Sequence, residues 1–116
     1  MEEEIVLVNK PVTKSFLKEI ALKRFGDMIK AVVDIEKGIL ALGAELHADE
    51  ESYLLERGSR QENLWGINLY PDLGFPQCVE FDSMINIRPS QNNRSRSVEN
   101  PELRDKITDT VLKLVI

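Results

Sequence analysis

The sequence predicts an α+β domain of about five strands and three helices in the order βαββαββα, with a largely antiparallel or mixed sheet. Three observations carry this. Apolar residues alternate at period two over Met28–Ile35 and Asn63–Tyr70, they recur at three- and four-residue steps over 13–26 and 101–114, and Gly26, Gly38, Gly58 and Gly74 fall between the periodic stretches. Interleaved strands and helices with two hairpins imply a sheet covered by helices chiefly on one face, in an order of strands that the residues leave open. The length of 116 residues leaves room for one core, so 1–116 is read as a single domain.

The first strand is the short β-branched run Glu4–Val8, closed by Asn9, Lys10 and Pro11. Thr13 then offers an N-cap hydroxyl, Val12 and Leu17 stand at staple spacing, and Phe16, Leu17, Ile20, Ala21 and Phe25 draw an apolar stripe that Gly26 terminates. Ile29, Ala31, Val33 and Ile35 share one face of a second strand, and a third follows over Ile39–Ala44. Between them Glu36-Lys37-Gly38 reads as a three-residue hairpin loop with Gly38 at its positive-φ position. Both strands are apolar enough on both faces to lie centrally. Asp49, Glu50 and Glu51 precede Tyr53, Leu54 and Leu55, placing acids at the positive end of a helix of about two to three turns, which Arg57-Gly58 ends.

Asn63–Tyr70 is the fourth strand, and Pro71-Asp72-Leu73-Gly74 makes the turn after it. Cys78–Arg88 then keeps one phase, with Val79, Phe81, Ile85 and Ile87 opposite Glu80, Asp82, Asn86 and Arg88, and only Ser83 interrupting the apolar set. One long or bulged strand, antiparallel to the fourth, is expected. Pro89–Glu99 is a connection of the length at which loops are usually functional or disordered. Asn100 caps a last helix with Pro101 at its first position and Leu103, Ile107, Val111 and Leu114 as its buried stripe.

Hydrophobic residues at 42% and charged residues at 30% are those of a globular chain, and no apolar run approaches the roughly 18 residues of a membrane span. The start, Met-Glu-Glu-Glu-Ile-Val-Leu-Val, is acidic where a secretory signal is basic, so the expected compartment is the cytoplasm. Cys78 is the one cysteine, which excludes an intrachain disulfide and any thiol-rich zinc site and suits a buried structural thiol. The net charge of -5 argues against membrane binding and against a broad nucleic-acid face, since both require many cations on one surface.

A local exception exists between Arg88 and Arg96. This stretch carries three arginines and no acid, whereas Glu45–Glu56 carries Glu45, Asp49, Glu50, Glu51 and Glu56 with no Lys or Arg until Arg57. The hairpin around Pro71 would bring Arg60 and Gln61 near the same stretch. The expected ligand-binding residues are therefore Arg60, Gln61, Arg88, Gln91, Asn92, Asn93, Arg94 and Arg96, because guanidinium forks flanked by amides suit a phosphate, a carboxylate or a nucleic-acid segment. The plainer alternative is a pair of solvated faces of opposite sign that touch within the fold or across a homo-oligomer.

His47 and Asp49 are the residues a metal site would have to use, with Asp34, Glu45 or Glu50 in support. One histidine in the chain makes that unattractive, so no metal and no cofactor is expected. Neither a Gly-x-Ser-x-Gly elbow nor a glycine-rich phosphate loop is present, which disfavours hydrolase and common nucleotide-dependent chemistry and leaves the catalytic residues unassigned.

Two runs, His47-Ala-Asp-Glu-Glu-Ser-Tyr-Leu-Leu-Glu-Arg-Gly-Ser-Arg-Gln-Glu-Asn-Leu-Trp-Gly-Ile-Asn-Leu-Tyr-Pro71 and Ile85-Asn-Ile-Arg-Pro-Ser-Gln-Asn-Asn-Arg-Ser-Arg96, resemble a small prokaryotic protein family of unknown function. The resemblance spans most of the chain from about Ile29 onward and implies a self-contained single domain. It brings no activity, cofactor or catalytic residue. The favoured reading is a non-enzymatic binding or regulatory module for an anionic ligand, a nucleic-acid segment or an acidic partner. The alternatives are a small carboxylate-dependent enzyme and a structural homo-oligomer.

Overall fold

The computed structural model describes residues 5–116, so Glu4, where the first strand was expected to begin, lies outside the described residues. Strands β1 (Val6–Val8), β2 (Ile29–Asp34), β3 (Ile39–Leu42), β4 (Leu64–Leu69) and β5 (Val79–Glu80) form one antiparallel sheet in the order β1-β3-β2-β4-β5. Helices α1 (Lys14–Arg24), α2 (His47–Glu56) and α3 (Pro101–Leu114) cover it. The α+β class and the element order agree with the sequence pattern.

Register sorts the side chains into two faces. Ala31 stands between Leu42 and Ile67, and Val33 between Leu40 and Trp65, so these share a face with Val8, Ile29 and Leu69. Leu17 and Ala21 of α1 and Ile107, Val111 and Leu114 of α3 close over it. The opposite face presents Val32, Ala41 and Leu64, against which α2 packs Leu54 and Tyr53. Helices therefore lie on both faces, α1 and α3 on the first, as the expected cover chiefly on one face required, and α2 alone on the second.

The strand order explains this. The β1-α1-β2 connection passes over β3, and the β3-α2-β4 connection passes over β2; both travel in the same direction across the sheet, but their strands point in opposite senses. Two crossovers of the same right-handed sense must then put their helices on opposite faces.

Local chemistry sets the boundaries. Thr13 accepts from the Phe16 N–H at 3.1 Å, and Gly26, at φ +90°, donates to the Ala21 carbonyl at 2.8 Å, closing α1 at both ends. Of the expected stripe, Leu17 and Ala21 are buried, whereas Phe16 and Phe25 stay partly in solvent because α1 meets the sheet over a narrow strip. The β2–β3 turn holds four residues, Ile35–Gly38, instead of the expected three. Buried Asp34 enforces it, accepting from the Glu36 and Lys37 N–H groups at 2.9 Å and from the Ser59 hydroxyl at 2.7 Å. Helix α2 starts at His47 with Leu46 as an N-cap that makes no side-chain bond, so Asp49 lies inside the first turn and does not cap.

The largest departure concerns Cys78–Arg88. Only Val79 and Glu80 pair with β4; the chain then turns through 3-10 segments at Met84–Asn86 and Pro89–Gln91. Gly66 is the cause on the β4 side, because a Cβ there would lie 2.5 Å from the Ser83 Cβ, so the departing chain presses on bare backbone. Asn86 takes over the strand's role, its amide accepting from the Gly66 N–H and donating to the Gly66 carbonyl.

The C-terminus is knitted into the fold. Val12 donates to the Leu114 carbonyl at 2.8 Å, and Ile116 donates back to the Val12 carbonyl at 2.9 Å, forming a parallel bridge between the segment before α1 and the residues after α3. No helix among the described residues is long and apolar enough to cross a membrane.

Candidate functional site

The expected basic loop is built into the protein more deeply than its polarity suggests. Arg88 is buried over the Trp65 ring, its guanidinium carbon 4.5 Å from the ring centroid. Its N–H groups donate to the Ile85 carbonyl at 3.0 Å, the Gln61 carbonyl at 2.7 Å, Gln91 Oε1 at 3.2 Å and the Leu64 carbonyl, and Glu51 stands 3.9 Å away. Burial pulls its pKa down and Glu51 opposes that, but an arginine stays charged in either case. The acidic and basic segments thus meet inside the fold, through Glu51 and Arg88.

Asn93 is buried too. Its Nδ2 donates to the Asn86, Ser95 and Ser97 carbonyls and its Oδ1 accepts from the Glu99 N–H, so one amide organises the connection after residue 89. Asn92 takes a left-handed conformation at φ 60°, which asparagine tolerates. Glu99 accepts from the Arg94 and Ser95 N–H groups, and the Ser95 hydroxyl together with these backbone bonds holds its carboxyl below the usual range. Gln91 Nε2 donates to the Glu62 carbonyl at 3.1 Å, so the loop and the residues before β4 do come together as the hairpin argument required. Of the eight expected ligand residues, Arg88 and Asn93 face inward, Gln91 is half-buried, and Arg60, Gln61, Asn92, Arg94 and Arg96 are exposed.

Arg96 leads to a second feature. It grips Asp82 through two bonds, Nε to Oδ1 at 2.7 Å and Nη2 to Oδ2 at 3.3 Å, at the rim of a cleft of about 410 Å³. Lys30, His47, Asn68, Tyr70 and Glu80 also line it, with Met28, Leu46 and Met84 as its apolar rim. These groups converge because β2, β4 and β5 are neighbours: Lys30 is paired with Asn68, and Asn68 with Glu80, all on the α2 side of the sheet.

Within the cleft the polar atoms are closely specified. Asn68 Nδ2 donates to Glu80 Oε1 at 2.8 Å and makes a longer contact to the Asp82 carbonyl at 3.4 Å, and the Tyr70 hydroxyl donates to the same Glu80 oxygen at 3.1 Å. Two acceptors on Nδ2 fix the orientation of the amide, which leaves the buried Oδ1 as the atom that acts on His47. His47 is buried, and its Nε2 donates to the Ile67 carbonyl at 2.8 Å, since a carbonyl can only accept. Burial pushes the His47 pKa below its ordinary 6.5 and Lys30 reinforces this, while the Ile67 carbonyl, Asp82 and the Asn68 side chain oppose it. Partial burial and Glu80 push the Tyr70 phenol up.

Sequence reasoning reached His47 and Arg96 but missed Lys30, Asn68, Tyr70, Glu80 and Asp82. The signal was present in part, since Asn68 and Tyr70 share one phase of their strand and Glu80 and Asp82 one phase of theirs. What pairs those phases is the register. Among the described residues, no group of three or more His, Cys, Asp or Glu side chains is placed to hold a metal ion. His47 spends Nε2 on the Ile67 carbonyl, and Asp34 spends its carboxylate on the β2–β3 turn and Ser59.

No curated protein and no solved structure matches the chain. A family model does, over residues 6–114, which takes in all five strands, all three helices and every residue of the cleft. The chain therefore belongs to DUF5674, a family of proteins of unknown function.

Proposed function

We propose that the protein is a small binding module that takes a polar ligand bearing an oxyanion in the cleft between α2 and the β4–β5 hairpin. The observation that carries this reading is the convergence of Lys30, His47, Asn68, Tyr70, Glu80, Asp82 and Arg96 on one concavity of about 410 Å³, within the range of small-molecule sites. Lys30 and Arg96 supply the positive charge. Arg96 holds Asp82 through Nε and Nη2, so Nη1 remains for an anion. A nucleic acid is disfavoured as occupant because Arg88 is committed internally, and Arg60, Arg94 and Arg96 make too narrow a basic face on a chain of charge -5.

The test is a heteronuclear NMR titration with phosphate- and carboxylate-bearing metabolites. Shifts at His47, Asn68 and Glu80, weakened in Arg96→Ala and retained in Arg94→Ala, are the expected result. Shifts confined to residues 89–96, lost in Arg94→Ala, would move the site to the exposed loop and reject the cleft.

A second reading, enzymatic, rests on the Tyr70–Glu80–Asn68 hydrogen-bonded group beside a neutral histidine of fixed tautomer. Such a set can hold and pass a proton. Its test is turnover of a ligand found by the titration, with a bell-shaped pH dependence that His47→Gln and Tyr70→Phe each reshape.

A further inference from the structure

We propose that the cleft's ligand is amphipathic, a small organic acid whose apolar body lies against Met28, Leu46 and Met84 and whose oxyanion meets Lys30 and Arg96. This rests on the cleft being the binding site and adds the chemical class of what fills it.

Leu46 occupies the N-cap of α2, where it makes no side-chain bond, and it is 54% exposed. Ser, Thr, Asp or Asn at that position would satisfy a helix N–H, so a leucine serves neither the cap nor the core. What it does is wall the cleft. Met84 behaves alike: it is 65% exposed at the start of its 3-10 segment, between buried Ser83 and half-buried Ile85. Because α2 and that segment lie against each other, side chains from distant parts of the chain reach one concavity, and Met28 enters it from the residue before β2. Single exposed apolar side chains are ordinary on a protein surface, whereas three around one concavity mark a binding surface.

The sheet supplies the polar part of the same cleft, with Lys30, Asn68 and Glu80 in a row across β2, β4 and β5 and Arg96 at the rim. Such a division suits a molecule with one polar and one apolar end. The volume of about 410 Å³ agrees, since it takes a whole organic molecule and a bare oxyanion would leave most of it empty. Two of the three apolar groups are methionines, whose unbranched, polarizable side chains adapt to varied apolar shapes.

The experiment labels the methionine methyl groups and the backbone and titrates the protein with acetate, butyrate and hexanoate, with methyl and hexyl phosphate, and with hexanol. Met28 and Met84 both line the cleft, so their methyl signals report on the rim directly. Affinity should rise about two- to fourfold with each methylene in both acid series, and hexanol should bind about tenfold more weakly than hexanoate or worse. The carboxylate and phosphate series distinguish the two sources of the oxyanion. Met84→Gln, at an exposed position, should weaken hexanoate about fivefold and leave acetate unchanged. Leu46→Ser should move stability and binding in opposite directions, raising Tm through a better cap while weakening hexanoate. A lower Tm with unchanged hexanoate binding would make Leu46 a structural residue and reject the amphipathic ligand. Equal binding of acetate and hexanoate in the cleft also rejects it and leaves the cleft as an oxyanion site. Hexanol bound as tightly as hexanoate rejects the acid. No shift at Met28, Met84 or Asn68 from any compound overturns both the amphipathic ligand and the cleft.

Discussion

The Asn86 side chain pairs with the Gly66 backbone as a neighbouring strand would, its Oδ1 accepting from the N–H at 2.8 Å and its Nδ2 donating to the carbonyl at 2.9 Å. Nδ2 also reaches the Arg96 carbonyl at 2.9 Å, so one amide completes the edge of β4 and ties down the end of the basic loop. Asn86→Ala strands three buried or half-buried backbone groups. Unmade hydrogen bonds of this kind cost about 1–3 kcal/mol each, and partial rehydration should bring the total to about 2 kcal/mol or more. Urea denaturation measures this, and an unchanged midpoint would show the amide to be dispensable.

Arg88 and Arg94 belong to one basic stretch but should respond differently. Arg88→Ala leaves the Leu64, Gln61 and Ile85 carbonyls without their donor and the Glu51 carboxylate without its counter-charge, and breaking a buried charge pair costs about 3–5 kcal/mol. Arg94 is exposed, so Arg94→Ala should stay within about 0.5 kcal/mol of the parent. Arg88→Lys should also destabilise, because an ammonium cannot span carbonyls from both sides of a planar fork. Equal stability of the Arg88→Ala and Arg94→Ala proteins would refute the internal role.

His47 predicts a pH dependence of stability. Its folded pKa lies below 6.5, so between those two values the unfolded chain binds more protons than the folded one, and stability rises with pH across that window. The contribution is complete above the unfolded value and is lost as pH falls toward the folded one. Denaturant midpoints measured from pH 7 downward should therefore fall more steeply for the parent than for His47→Gln. Parallel profiles would mean that the ring is solvated in the folded state.

Helix α3 should be indispensable. Ile107 is fully buried in the α1–α3 core, so Ile107→Ala should cost about 2–5 kcal/mol. Truncation before Asn100 also removes the Val12–Val115 bridge and should abolish cooperative thermal unfolding. A truncated chain that still melts cooperatively with unchanged circular dichroism would contradict this.

The elements legible in the residues are those whose causes are local. Thr13, Gly26, Gly38, Asn100 and Pro101 mark ends through their own φ preferences and side-chain bonds, and the stripes of α3 and β2 follow from periods of 3.6 and 2. Local signals also carried the turn around Pro71 that brings Gln61 to Arg88 and Glu62 to Gln91. They failed over Cys78–Arg88, where a period-two pattern persisted without a strand: the alternation of Glu80, Asp82 and Asn86 records contacts with Tyr70, Arg96 and Gly66 that lie 10 to 20 residues away. They failed equally on Arg88 and Asn93, whose polarity reads as solvation until partners for all their donors are found in distant backbone. The strand order emerges from long-range pairing, and with it the placement of α1 and α2 on opposite faces and the assembly of the cleft. Lys30, Asn68 and Glu80 stand side by side because β2, β4 and β5 are adjacent and in register, and the pairing of Lys30 with Asn68, far apart in the chain, is a relation that no local propensity encodes.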